Sequence, residues 1–193
     1  MVNISSPNTP GLRSLQGRKE LELLIRKVLG TRDAMKWGPG GPPPCLVKIA
    51  PDLTAADMQD IAAVAKSTGV DGLIVSNTTV ARPDAVKQQP HGEEAGGLSG
   101  RPLMAMSTQV LAEMYRLTGG AIPIIGVGGI ASGYDAYKKI RAGASMVEVY
   151  TMFAYEGPAL VRQIKRELAE CLKRDGFRSV QEAVGADHRQ GKA

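Results

Sequence analysis

The sequence is poor in aromatic residues and in cysteine. Of its 193 residues, 4% are aromatic and two are cysteines, and the formal net charge is +5. No basic stretch alternates with aromatic residues, so the stacking platform of a single-strand nucleic-acid binder is missing. Cys45 and Cys171 lie far apart, without a second cysteine or a histidine at metal-ligand spacing. We therefore expect free thiols, no metal site and no nucleic-acid partner.

Long hydrophobic runs are also absent. No apolar stretch approaches the ~20 residues of a membrane span. The first residues have neither the apolar core of a signal peptide nor the Arg- and Ser-rich composition of a transit peptide. The sequence as it stands predicts a soluble chain without a targeting or transmembrane segment, and any address signal would lie upstream of Met1.

Apolar runs alternate with amphipathic stretches along the chain. Strands are predicted at 45–50, 72–76, 122–127 and 145–150, and each is followed by a helix, at 55–67, 107–117, 134–141 and 158–173. A strand stub at 1–4 precedes a helix at 18–29 that ends at Gly30, and a long polar loop covers 80–99. This pattern predicts an α/β fold with a parallel sheet buried on both faces.

Two architectures fit this alternation, an open doubly wound sheet and a (β/α)8 barrel. Polar or glycine residues end every strand, and the last two strands are followed by segments suited to a phosphate, which favours the barrel. A complete barrel needs about 250 residues. We therefore expect roughly the C-terminal half of a barrel, about four and a half βα units, as a single partial domain over 1–193 that begins in the middle of the fold.

Two glycine segments are candidates for a phosphate site. Gly128 and Gly129 lie between a strand and a helix, where backbone N–H groups can converge on an anion. Gly100 belongs to a second glycine loop, at 96–100. Tyr150 and Thr151 lie at the end of the strand that follows Gly128 and Gly129. The alternative is a tight turn that needs glycine for its backbone conformation alone.

Polar side chains at other strand ends could bind a planar ring. Asn3, Asn8, Asn77 and Thr78 offer neutral donors and acceptors, although each alone could also serve a turn. Lys48 interrupts an apolar strand, where its ammonium could stabilise negative charge on a cofactor; alternatively it reaches the strand end and pairs with Asp52.

The Ser5-Ser6 pair contains the candidate nucleophile or base. A serine has no basicity of its own near neutral pH, so it would act through pre-organisation and a proton relay. No G-x-S-x-G context surrounds it and neither histidine is close in sequence, which disfavours hydrolysis.

Six segments together resemble the class 2, quinone-linked dihydroorotate dehydrogenases. They are 3–17 (NISSPNTPGLRSLQG), 47–53 (VKIAPDL), 76–79 (SNTT), 96–103 (GGLSGRPL), 123–129 (PIIGVGG) and 139–144 (KIRAGA). The resemblance covers essentially the whole chain. It implies a TIM-barrel flavoenzyme with FMN as cofactor, which oxidises dihydroorotate to orotate in pyrimidine biosynthesis.

The resemblance also implies roles for matched residues. Ser6 corresponds to the general base that takes the proton from C5 of dihydroorotate. Substrate contacts fall on Asn3, Ser6, Asn8, Asn77 and Thr78. FMN contacts fall on Asn3, Lys48, Ser76, Gly100, Gly128, Gly129, Tyr150 and Thr151, with the last three surrounding the phosphate.

Partners and location follow from the same resemblance. It implies dihydroorotate and orotate as ligands, ubiquinone as electron acceptor, and the mitochondrial inner membrane, which the family reaches through an N-terminal segment that is absent here. Unpaired barrel edges would favour self-association. The alternative is a catalytically silent fragment or isoform that acts, if at all, as an interaction module.

Overall fold

The strands form one parallel sheet whose spatial order is the order of the sequence. In the computed structural model, which describes residues 1–189, β1 spans Val2–Asn3, β2 Leu46–Ile49, β3 Gly72–Val75, β4 Ile124–Val127 and β5 Met146–Glu148. A doubly wound sheet reverses its strand order at a switch point, and this sheet does not. The barrel prediction is therefore confirmed over the described residues, and positions 190–193 of the predicted domain lie outside them.

Eight α-helices are described within residues 1–189. They are α1 (Arg18–Ala34), α2 (Ala55–Thr68), α3 (Asp84–Lys87), α4 (Met104–Thr118), α5 (Gly133–Arg141), α6 (Thr151–Glu156), α7 (Ala159–Arg174) and α8 (Val180–Ala183). Short 3-10 turns cover Leu12–Gln16, Arg101–Leu103 and Ala186–His188. The main core lies between the sheet and the helices α1, α2 and α4. All four residues of β3 are buried, as expected for a central parallel strand.

Helix α1 does not end at Gly30, as the sequence predicted, but continues to Ala34. Glycine inside a helix costs only about 1 kcal/mol relative to alanine, and contacts of the next turn offset this. The guanidinium of Arg32 lies 2.6 Å from the carboxylate of Asp71. The indole N–H of Trp37 donates to the carbonyl oxygen of Arg32 at 2.6 Å.

Helix α6 and the short helix α3 lie where the sequence predicted a strand end and a loop. β5 stops at Glu148, and Thr151 already begins α6. A helix of six residues is too short to show the 3.6-residue apolar period. A bridge joins Thr79, just before the loop over 80–99, to Leu98 within it, and folds the loop back towards the strand end of β3.

The start of α2 follows the prediction closely. The Thr54 hydroxyl accepts from the N–H of Asp57 at 3.2 Å, and the Asp57 carboxylate accepts from the N–H of Thr54 at 2.9 Å. This reciprocal capping box satisfies two helix-terminal donors. It fixes the turn from β2 into α2, and therefore the position of Asp52.

Candidate functional site

The carboxyl ends of the strands surround one open cavity. Nine of the residues predicted to bind substrate or cofactor line it: Lys48, Ser76, Asn77, Thr78, Gly100, Gly128, Gly129, Tyr150 and Thr151. They come from the ends of four strands and from the loop before α4. The parallel sheet brings them together because every strand ends at the same side of it.

A second group of predicted residues meets at the open edge of this cavity. Asn77 Nδ2 donates to Asn3 Oδ1 and to Ser5 Oγ, both at 3.1 Å. The Oδ1 atom of Asn77 accepts from the N–H of Thr78 at 2.8 Å. Asn3 pairs with Lys48 across β1 and β2, which sets the spacing between the two side chains. Asn3, Asn77 and Thr78 are therefore brought together, as the sequence predicted.

Ser6 and Asn8 lie apart from this cluster. Ser6 is half-buried, and its Oγ accepts from the N–H of Asn8 at 3.3 Å. Asn8 is exposed, with its Oδ1 facing Gly96: a Cβ built on that glycine would be 3.7 Å away. A Cβ built on Gly97 would likewise lie 2.9 Å from the Pro7 side chain. The opening segment thus meets the glycine loop across the mouth of the cavity.

Ser5 organises this region, whereas its sequence context predicted no role distinct from that of Ser6. Its side chain is fully buried. The hydroxyl donates to the backbone carbonyl of Lys48 at 2.7 Å and accepts from Asn77. A buried hydroxyl that both donates and accepts a hydrogen bond holds neighbouring segments together. Ser6 is therefore the serine open to a ligand.

Arg13 and Asp52 form a second link between segments, which was not predicted from the sequence. Arg13 contacts Asp52 at 3.0 Å and donates to the carbonyl oxygens of Ser5 and Thr78, at 3.3 and 3.2 Å. Asp52 also accepts from the Thr79 hydroxyl and from the N–H of Val80. Opposite charges in segments that follow neighbouring strands were the available signal.

The contacts of Asp52 exclude one interpretation of Lys48. The alternative interpretation, in which Lys48 pairs with Asp52, is wrong, because Arg13, Thr79 and Val80 occupy that carboxylate. Lys48 is half-buried and lines the cavity instead. Its ammonium is available to a negatively charged group there.

The glycine loop needs glycine for packing reasons. Gly128 has φ 107° and Gly129 φ 80°. A Cβ on Gly129 would lie 2.5 Å from the backbone of Met104, and one on Gly128 would lie 3.0 Å from Ser107 Oγ. The loop therefore sits directly on the start of α4, and glycine there does not by itself indicate a phosphate.

Unpaired backbone donors give that indication. Gly129 and Ile130 are buried, and among the hydrogen bonds within residues 1–189 none is donated by their N–H groups. Buried N–H groups are nearly always paired. Thr151 Oγ1 donates to Ser99 Oγ at 3.0 Å beside them, which adds a hydroxyl pair to the same wall. Two free donors and two hydroxyls fit the terminal phosphate of FMN.

Comparison with known proteins decides the family. The model of the dihydroorotate dehydrogenase family matches residues 1–172. The chain belongs to the dihydroorotate dehydrogenase family. The mitochondrial dihydroorotate dehydrogenase (quinone) of Arabidopsis thaliana is 64% identical over 189 residues, 98% of this chain and 41% of the relative. The corresponding mouse protein is 58% identical over 190 residues, 98% of this chain and 47% of the relative.

Solved structures agree with this assignment. A crystal structure of dihydroorotate dehydrogenase from Eimeria tenella in complex with ferulenol has a TM-score of 0.91 at 47% identity, and covers 97% of this chain and 53% of that chain. The chain thus spans about half the length of the relatives it matches. The resemblance to the quinone-linked class is confirmed, and the fold is part of a (β/α)8 barrel.

Proposed function

We propose that this chain carries the C-terminal part of a flavin site that oxidises dihydroorotate to orotate in pyrimidine biosynthesis, with FMN as hydride acceptor and a quinone as final electron acceptor. The observation that carries the proposal is the single cavity on which nine residues from separate segments converge. The relatives from Arabidopsis thaliana and mouse are both named dihydroorotate dehydrogenase (quinone).

The FMN side of the site is assigned to the walls of this cavity. The N–H groups of Gly129 and Ile130 donate to the phosphate, with Thr151 and Tyr150 beside them. Ser76 and Gly100 line the central part, and Lys48 supplies a positive charge that stabilises an anionic ring. When bound, FMN supplies the acceptor for the hydride that leaves C6 of dihydroorotate.

The substrate side is assigned to the opening segment and the end of β3. Asn3, Asn8, Asn77 and Thr78 hold the pyrimidine ring and its carboxylate through neutral donors and acceptors. The bond from Asn77 to Asn3 Oδ1 leaves the Asn3 amide hydrogens free to donate. Ser6 takes the proton from C5 as the hydride leaves C6, and passes it to water, so that a C5–C6 double bond forms.

The location and partners of this chain are inferred from those of its relatives. Mitochondrial relatives support the same compartment, and we infer association with the inner membrane and with ubiquinone through further segments of the longer relatives. Within residues 1–189, no helix has the length and apolar character to cross a membrane. The edge strand β5 leaves Met146 60% exposed, and Val161 and Phe153 of the neighbouring helices are also exposed, which supports self-association at this edge.

The test uses the purified chain. We expect stoichiometric FMN in its absorbance spectrum and orotate formation with a soluble quinone. Ser6→Ala should keep the flavin and lower turnover by about 10²- to 10⁴-fold, the usual contribution of a general base. Ser14→Ala, an exposed serine of the same segment, is the matched control and should turn over like the unchanged chain.

Two outcomes contradict the proposal. A chain that retains no FMN, or that holds FMN without forming orotate, would favour the silent fragment. That alternative has less support now, because the flavin-side residues already converge on one cavity. Unchanged turnover in Ser6→Ala would overturn the role of Ser6 alone.

A further inference from the structure

A fully buried lysine lies next to the glycine loop, and the proposed function does not use it. Lys139 on α5 has no exposed surface. Its ammonium donates to the hydroxyl of Ser107 on α4 and lies 3.5 Å from the carbonyl oxygen of Val127 at the end of β4. Ser107 is also fully buried, and its hydroxyl is within donating distance of two carbonyl oxygens, that of Gly128 at 3.1 Å and that of Met104 at 3.2 Å.

Burial of a lysine without a carboxylate is costly. No ion pair of Lys139 occurs within residues 1–189. Burial lowers the pKa of Lys139 to about 7, and Asp135 on the same helix acts in the opposite direction. Gly126 of β4 lies beside its stem, since a Cβ built on that glycine would be 3.3 Å from Lys139 Cδ; the same position faces Leu111 and Ala144, which do not titrate.

The arrangement connects the ammonium to the unpaired donors. Gly128 directly precedes Gly129, so fixing the Gly128 carbonyl also fixes the peptide unit that carries the Gly129 N–H. A positive charge in a poorly solvated site acts more strongly on a nearby anion than it would in water. The position of Lys139 therefore suits a role in both the geometry and the charge of the loop.

We propose that Lys139 is a positioning residue for the phosphate site: through Ser107 and Gly128 it orients the donors of the glycine loop, and its charge favours a dianion bound to them. This inference deepens the proposed function, because the phosphate would be that of FMN. The bound anion in turn compensates the buried charge.

Sulfate is the probe, since its charge does not change in the relevant pH range. The full chain, labelled with ¹⁵N, is titrated with sulfate at about pH 6 and about pH 8, on either side of the pKa of about 7, while the amide signals of Gly128, Gly129 and Ile130 are followed. We expect affinity to fall about fivefold between the two pH values, which is most of the roughly tenfold change that corresponds to one pKa unit of coupling.

Variants separate this role from a structural one. Lys139→Met should bind sulfate weakly at both pH values and lose the pH dependence. Lys138→Met makes the same change one residue earlier at an exposed position, and should keep the pH dependence. Ser107→Ala removes the connection to Gly128 and should weaken sulfate binding at the lower pH, which supplies the test if Lys139→Met does not fold.

The outcomes distinguish this inference from the proposed function. The inference fails if sulfate does not shift the loop amides, if affinity in the unchanged chain is independent of pH, or if Lys139→Met or Ser107→Ala binds like the unchanged chain. Sulfate binding with the expected pH dependence in a chain that retains no FMN would sustain the inference and overturn the proposed function.

Discussion

The Ser5 hydroxyl donates a hydrogen bond to the backbone carbonyl of Lys48 at 2.7 Å, which ties the opening segment to the neighbouring strand. Ser5 is fully buried, whereas Ser6 is half-buried and accepts a weak bond from Asn8. Ser5 therefore supports the site, and Ser6 is the serine left open to a ligand.

Substitution of the two serines should separate these roles. Ser5→Ala removes the bond to Lys48 and a partner of Asn77, and should lower the free energy of unfolding by about 1–3 kcal/mol. Ser6→Ala should change it by less than about 0.5 kcal/mol. Urea denaturation of both variants measures the difference, and equal losses would contradict it.

Asp52 should matter for stability more than a comparable exposed carboxylate. Asp52→Asn weakens the contact that lets Arg13 hold Ser5 and Thr78 together, and should cost about 1–2 kcal/mol. Asp60→Asn is the matched control, because the ion pair of Asp60 with Arg18 is exposed and should contribute less than about 1 kcal/mol.

FMN affinity gives a second measurement for the same pair of variants. The loss of the Arg13–Asp52 contact should weaken FMN binding, since Thr78 and the opening segment shift together, whereas Asp60→Asn should bind FMN like the unchanged chain. Equal effects of the two variants on unfolding and on FMN binding would show that the Asp52 contact has no special role.

The repeating units of the fold could be predicted from the sequence because they depend on local pattern. Apolar runs predicted strands β2 to β5, and polar strand ends predicted the cavity residues. The bond between Arg13 and Asp52 joins distant segments, and its signal, two opposite charges that follow neighbouring strands, is not part of any local pattern. Lys139 was not recognised as buried, although Ala136 and Ile140 place it on the apolar face of α5 by helical spacing.

Gly129→Ala should disrupt the glycine loop more than its backbone conformation alone explains. Gly129 and Gly119 both have positive φ, of 80° and 66°. A Cβ would lie 2.5 Å from the Met104 backbone at Gly129, but would meet nothing within 4 Å at Gly119. Gly119→Ala should therefore cost only about 1–2 kcal/mol, the penalty of a left-handed residue. Gly129→Ala should cost more and abolish FMN binding, measured by urea denaturation and flavin titration; equal losses would contradict the clash.

Asp175 should make the chain sensitive to acid. The Arg174 guanidinium and the Tyr137 hydroxyl, which donates at 2.6 Å, lower the pKa of Asp175 to about 2. Because the folded pKa lies below the ordinary value of 3.8, this contribution is present above that value and is lost as pH falls towards about 2. Asp175→Asn should therefore show a smaller loss of stability in that window than the unchanged chain, measured by urea denaturation at successive pH values. Asp33→Asn, a control on an exposed carboxylate that pairs with Arg32, should leave the fall in stability across the window largely in place. The same slope in Asp175→Asn as in the unchanged chain would overturn the assignment.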